Sequence, residues 1–245
     1  MAYTRRAPEQ HTGWVRNEAR GRRTAWLMLI IAIIVSGVLI SPYVSLDIRN
    51  SRLDVTGPLH YSVLVVHIFT AAVALVAGPL QFMSRVRARR RVHRTIGRVY
   101  LFAGVLPSAV AAVPVAVWSG RLMTQIGLTS AAALWLVTGG LAYRAARRRD
   151  VIRHREWMTR NYALTFLAVT SRVLVPLLLL VQLPFNRTNV GSIGESASSL
   201  IPIGQTLGWV VNLAVVEIII RRRRRSSRGP VLNASRVASV AVDRS

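Results

Sequence analysis

The sequence predicts an all-α fold: a polytopic integral membrane protein built as a six-helix transmembrane bundle. Three observations carry this. Six apolar runs are each long enough to cross a bilayer, which takes about 20 mostly apolar residues. The chain is 52% hydrophobic yet carries a formal charge of +24, and the two properties are segregated along it instead of mixed as on a globular surface. Its 33 basic residues are all arginines, and most of them sit in alternate gaps between the runs.

The first span is read from Thr24 to Val44. Arg22 and Arg23 precede it like the start of a signal peptide, but SPYVSL follows without a small-residue cleavage site, so it reads as a retained anchor. The second span runs from Leu59 to Met83, the third from Ile96 to Trp118 and the fourth from Thr124 to Tyr143. The fifth covers Trp157 to Leu183 and the sixth Leu200 to Ile220. Residues 24–220 thus form the membrane domain, flanked by a basic arm, residues 1–23, and a polyarginine-led tail, residues 221–245. Both flanks are polar or rich in small residues without helical periodicity, a composition that predicts no regular structure.

Arginine placement predicts orientation. The arm, the gap after the second span, the gap after the fourth and the tail hold 26 arginines, while the opposite gaps hold four: Arg49, Arg52, Arg121 and Arg187. Basic residues are retained on the cytoplasmic side, so both termini are expected there, in a multi-pass protein of the plasma membrane. The absence of lysine fits a GC-rich, bacterial genome.

A pI near 12 would ordinarily raise nucleic-acid binding. Here each arginine cluster abuts an apolar span, so the expected partners are the lipid bilayer and anionic lipid headgroups, with no nucleic acid. A homodimer is compatible with the pattern. With no cysteine, disulfides, iron-sulfur clusters and thiolate metal sites are excluded. No nucleotide loop, catalytic triad, zinc-protease motif or carboxylate pair is present, so catalysis is not the expectation.

Two cytoplasmic loops deliver the chain into the next span with related text. The third opens HRTIGRVY, from His93 to Tyr100, and the fifth HREWMTRNY, from His154 to Tyr162. Spans two and three therefore read as a parallel repeat of spans four and five. On the fifth, His154, Asn161, Thr165 and Arg172 share one face of an ideal helix. On the third, His93, Gly97, Tyr100 and Gly104 line up; on the second, His60, His67, Ala71, Ala74 and Gly78; on the sixth, Gln205, Trp209 and Asn212. Small residues let helices approach and polar ones bond across the gap, so these lines are expected to face the bundle interior.

Charges inside spans need partners. Arg172 near mid-bilayer is expected to face a wet cavity or a bound anion. Glu217, at the cytoplasmic end of the sixth span, is the natural counter-ion for Arg98 and Arg160. His60 and His67 are seven residues apart on one helix, about 10 Å along its axis, and cannot share an iron. His93 and His154 open different spans at the same expected level, as a metal-ligand pair that could hold haem b with arginines on its propionates. The candidate cofactor site is therefore His93, Arg94, Arg98, Tyr100, His154, Arg155, Arg160, Tyr162 and Glu217, with His67 and Arg172 deeper in the membrane.

The stretch from His67 to Arg172 resembles the uncharacterised bacterial family of predicted membrane proteins, domain of unknown function 2306. The carrying residues are His67 with GPLQF (Gly78 to Phe82), HRTIGRVY, Trp135, and HREWMTRNYALTF leading to Arg172. Trp209, Asn212 and Glu217 look like the family's closing helix. The resemblance implies the topology and picks out these residues, and implies no reaction. Three functions stay open: a redox protein binding haem b or a quinone, a transporter or receptor for a small anion, and a non-catalytic scaffold or sensor whose basic loops dock lipid or a partner.

Overall fold

The computed structural model describes the backbone of residues 9–182 and 193–242, and the side chains of residues 21–181 and 200–225. It is predominantly helical, with no strand among the described residues. The helices are α1 (Glu9–Ile40), α2 (Pro58–Phe82), α3 (Ser84–Ala88), α4 (Arg90–Arg98), α5 (Leu106–Trp118), α6 (Leu122–Arg147), α7 (Val151–Thr165), α8 (Leu167–Gln182) and α9 (Ile193–Val242). Both α1 and α9 reach into the flanking arms, for which composition predicts no regular structure. Arg187, counted among the outer arginines, lies outside the described residues.

Five helical stretches are long and apolar enough to cross a membrane: Gly21–Tyr43, Pro58–Phe82, Arg90–Trp118, Leu122–Arg147 and Leu200–Arg225. The sixth span is α7 with α8, bent by 45°. The protein is an all-α polytopic membrane bundle. It divides into two compact units, Met1–Leu136 and Val137–Ser245.

In the first unit, α1 packs on α2 and buries the stripe Ala25, Leu29, Ala32 and Ser36, while Trp26, Leu27, Ile30, Ile33 and Ile34 remain exposed as lipid-facing residues do. The α1–α2 connection is held by two tyrosines: Tyr61 Oη donates to the Asp47 carbonyl (3.1 Å) and Tyr43 Oη accepts from the Arg52 amide (3.3 Å). The third span is not one regular helix. Between α4 and α5, residues Val99–Val105 form a π-helical stretch in which the Leu106 N–H bonds the Leu101 carbonyl five residues back. Pro107 explains it: proline has no N–H to give and its ring would strike the carbonyl four residues earlier, so a widened turn relieves the clash.

In the second unit, α7 starts with Asp150 as its cap, the carboxylate accepting from the Arg153 amide (3.0 Å). Arg149, at φ 59°, makes the tight turn from α6. Further on, α9 lies against α8 through Gly204 and Gly208. A Cβ on either would come within 2.5 Å of Val175 Cγ2 or 2.8 Å of Leu167 Cδ1. This is a small-xxx-small contact of the kind that lets membrane helices approach closely.

Candidate functional site

The predicted site residues divide between the two units: His67, His93, Arg94, Arg98 and Tyr100 belong to the first, and His154, Arg155, Arg160, Tyr162, Arg172 and Glu217 to the second.

In the first unit the helix lines expected from sequence do meet. Gly104 is pressed on Ala74, where a Cβ would lie 2.9 Å from the Ala74 backbone, and Gly97 faces Gln81 at 3.5 Å. Gln81 in turn donates to the His93 carbonyl (3.2 Å). Tyr100 is fully buried within the π stretch. His67 is pinned from α5: its Nδ1 lies 2.9 Å from the Ser108 carbonyl and 3.1 Å from Ser108 Oγ, whose own proton goes to the His67 carbonyl (3.2 Å). A carbonyl can only accept, so Nδ1 carries the proton and Nε2 keeps a lone pair. Higher up, His60 takes the opposite tautomer, because its Nδ1 accepts from the Thr56 amide (3.3 Å), and its ring lies 4.8 Å from that of Trp118. Arg94 and Arg98 are exposed.

In the second unit, His154 repeats the pattern of His67. Its Nδ1 lies 2.9 Å from the Ala142 carbonyl at the end of α6, again leaving Nε2 as the basic nitrogen. The Gln81–His93 and Ala142–His154 contacts each close a helix hairpin across a separation of 12 residues, but through different groups: the main-chain carbonyl of His93 in one and the ring of His154 in the other. Deeper on α7, Asn161 is completely buried and donates to Thr138 Oγ1 (2.8 Å), and Thr165 donates to the Asn161 carbonyl (3.2 Å). Tyr162 is buried, its ring 6.0 Å from that of Phe166.

The bend at Phe166 is where sequence expectation fails. A straight helix would put Arg172 on the interior stripe; beyond the 45° break it is exposed, its guanidinium donating to the Ala168 carbonyl one turn back (2.5 Å). One of the polar residues predicted on the sixth span, Asn212, supports the bend instead. Asn212 donates to the Ala163 carbonyl (2.9 Å), the acceptor an unbroken helix would give to Leu167, and accepts from Thr170 Oγ1 (2.9 Å).

At the far end of α7 a charge ladder ties it to α9. Arg160 holds one Glu217 oxygen with Nε and Nη2 (3.1 and 2.8 Å), and Arg221 holds the other (3.1 Å). Arg224 pairs with both oxygens of Glu156, a partnership that sequence spacing does not reveal because Glu156 and Arg224 stand 68 residues apart. The Arg160 guanidinium also lies over the Trp157 ring, 4.8 Å from its centre. Arg155 is exposed.

These features extend across the residues matched by the family model "Predicted membrane protein (DUF2306)", residues 64–220. The chain belongs to that family. Every predicted site residue of this DUF2306 protein falls inside the match, whereas all of α1 and the arginine tail lie outside it. No curated protein and no solved structure matches the chain. Among the described residues of the DUF2306 protein, no three His, Asp or Glu side chains gather as a metal site. A shallow hollow of about 450 Å³ beside Asp47 and Tyr61 has those polar groups already bonded within the loop.

Proposed function

We propose that this DUF2306 protein is a membrane redox protein that binds haem b or a quinone within its helices, in a bacterial plasma membrane with both termini cytoplasmic. The observation that supports it is the state of the histidines. His67 and His154 each give their Nδ1 proton to a main-chain carbonyl on a neighbouring helix, so each keeps an Nε2 lone pair in a fixed ring orientation. Axial ligation of haem iron asks for that arrangement, because a carbonyl on the far nitrogen orients the ring and raises its basicity. Haem b held by such ligands would supply one-electron transfer. Within the first unit His93 is a further ligand candidate and Arg98 a cation suited to a propionate, and within the second unit Arg160 is a cation of the same kind. The basic loops would rest on anionic headgroups.

The test is the visible absorption spectrum of protein purified in detergent from haem-replete cells. A Soret band that disappears in His67→Ala or His154→Ala supports the reading; a colourless preparation that takes up no added haemin removes the haem half of it.

A second reading is favoured by one observation, the Arg160 fork filled by the protein's own carboxylate. Glu217 there would act as a resident counter-ion that a small anionic ligand displaces, making the protein a transporter or receptor. Anion-dependent thermal stabilisation, lost in Arg160→Gln, is its test.

A further inference from the structure

The connection between α1 and α2 carries its apolar side chains outward. Val44, Leu46, Ile48 and Leu53 are 39–67% exposed, and Leu59, in the first turn of α2, is 69% exposed. Leu46 is held in this way against its backbone preference. Its φ of 52° lies in the left-handed region, which a leucine rarely adopts and which strains the main chain. A turn standing in water gains nothing from that strain, since glycine or asparagine would make it more easily.

Two observations fix the level at which these side chains lie. The first span ends at Tyr43 and the second begins at Pro58, so Leu46 stands three residues from a span end, no more than about 11 Å along the chain. The connection also folds back beside α2 instead of rising from it. Tyr61 Oη, at the end of the first turn of α2, donates to the Asp47 carbonyl (3.1 Å). Ser45, Leu46, Asp47 and Ile48 share the hollow of about 450 Å³ with Pro58, Tyr61 and Ser62.

The main chain of the connection is bonded within itself. The amides of Leu46, Asn50 and Ser51 donate to carbonyls three residues back, that of Arg49 to the Asp47 carboxylate, that of Arg52 to Tyr43 Oη and that of Leu53 to Ser51 Oγ. A loop in water can leave such donors to solvent, whereas one that enters a lipid interface must satisfy them itself.

We propose that the α1–α2 connection is an interfacial foot whose partner is the phospholipid of the leaflet around it. Val44, Leu46 and Ile48 enter the boundary between headgroups and acyl chains, and lipid fills the hollow beside Pro58 and Tyr61. Arg49 and Arg52, both exposed and one and four residues beyond Ile48, meet the headgroup phosphates. Burial of the Leu46 side chain in lipid offsets the strain of its backbone. The foot serves either face of the membrane and needs no cofactor, so it stands apart from the redox reading.

The chain has no cysteine, so single cysteines can be placed and labelled with an environment-sensitive NBD fluorophore in the full chain, held in phosphatidylcholine nanodiscs. Labelled Leu46→Cys and Ile48→Cys should emit at shorter wavelength than labelled Asp54→Cys and resist quenching by iodide. Lipids spin-labelled at graded depths should place both labels about 5–10 Å below the headgroups. A second variant needs no label. Leu46→Asn suits the left-handed backbone but removes the apolar side chain, so in nanodiscs it should lower the melting temperature despite the relief of strain.

Iodide quenching at Leu46 as strong as that of free NBD-cysteine would overturn the proposal. So would an unchanged or raised melting temperature in Leu46→Asn, the result for a side chain that stands in water. A label shielded from iodide and from spin-labelled lipid alike would assign the patch to a protein partner or a second copy of the chain and overturn it likewise.

Discussion

Asn212, on the last span, donates its side-chain amide to the main-chain carbonyl of Ala163, at the point where the fifth span bends by 45°. A carbonyl released from a helix ladder inside a membrane has no water to turn to, so a side chain from another helix must satisfy it. Asn212→Leu keeps the volume and removes the donor. The expected loss is about 1–3 kcal/mol, the cost of leaving a buried polar group unmade. Thermal unfolding in detergent measures it, and an unchanged midpoint would show that the bend holds without Asn212.

The glycines of the third and fourth spans separate packing from propensity. A Cβ at position 104 would fall 2.9 Å from the Ala74 backbone, at 97 it would rest 3.5 Å from a flexible glutamine, and at 140 it meets nothing within 4 Å. Gly104→Ala should therefore destabilise by about 1–3 kcal/mol, as overpacked cores do. Gly97→Ala should be close to neutral. Gly140→Ala should stabilise by up to about 1 kcal/mol, since alanine loses less backbone entropy in a helix. The order of the three melting temperatures is the prediction, and Gly104→Ala at or above wild type would contradict the close approach.

Much of this was legible in the sequence, and the parts that were not share a cause. Span positions follow from apolar length, and the interior role of Gly104, Ala74, Tyr100 and Asn161 follows from helical periodicity, because both are local properties of the chain. Arg172 was misplaced because periodicity assumes a straight axis, and the break at Phe166 has no proline or glycine to announce it. The Glu156–Arg224 pair was missed for the converse reason: it depends on which helices pack together, and each residue alone reads as a solvated charge. Gly204 and Gly208 did carry a readable signal, a GxxxG spacing in an apolar run, which was overlooked beside the polar line Gln205, Trp209 and Asn212.

The Arg160–Glu217 pair allows a direct measurement of coupling. The Arg160 side chain is 16% exposed and that of Glu217 36%, so water screens the interaction only in part. A double-mutant cycle with Arg160→Gln and Glu217→Gln should give a coupling of about 1 kcal/mol, at the upper end for partly exposed pairs. High salt should reduce it. Replacing Arg221, 72% exposed, should cost less than replacing Arg160. A cycle with no coupling at low salt would show that the ladder does not clamp α7 to α9.

The proposed orientation makes the sharpest prediction, because it depends on charge alone and is independent of any ligand. Arginines resist transfer across the membrane during insertion, so the side that holds 26 of them should stay cytoplasmic and the side that holds four should be exported. Dual reporters fused after Ser51, in the α1–α2 connection, should be active only in their exported form. Fusions after Arg149, in the α6–α7 turn, and after Ser245 should be active only in their cytoplasmic form. The assignment also predicts its own reversal. Exchanging Arg85, Arg87, Arg89, Arg90 and Arg91 for alanine while adding arginines beside Arg49 and Arg52 narrows the bias across the second span and should produce mixed topology. If Ser51 and Arg149 report the same side in the unaltered chain, an even number of crossings separates them, and the span assignment fails together with the orientation.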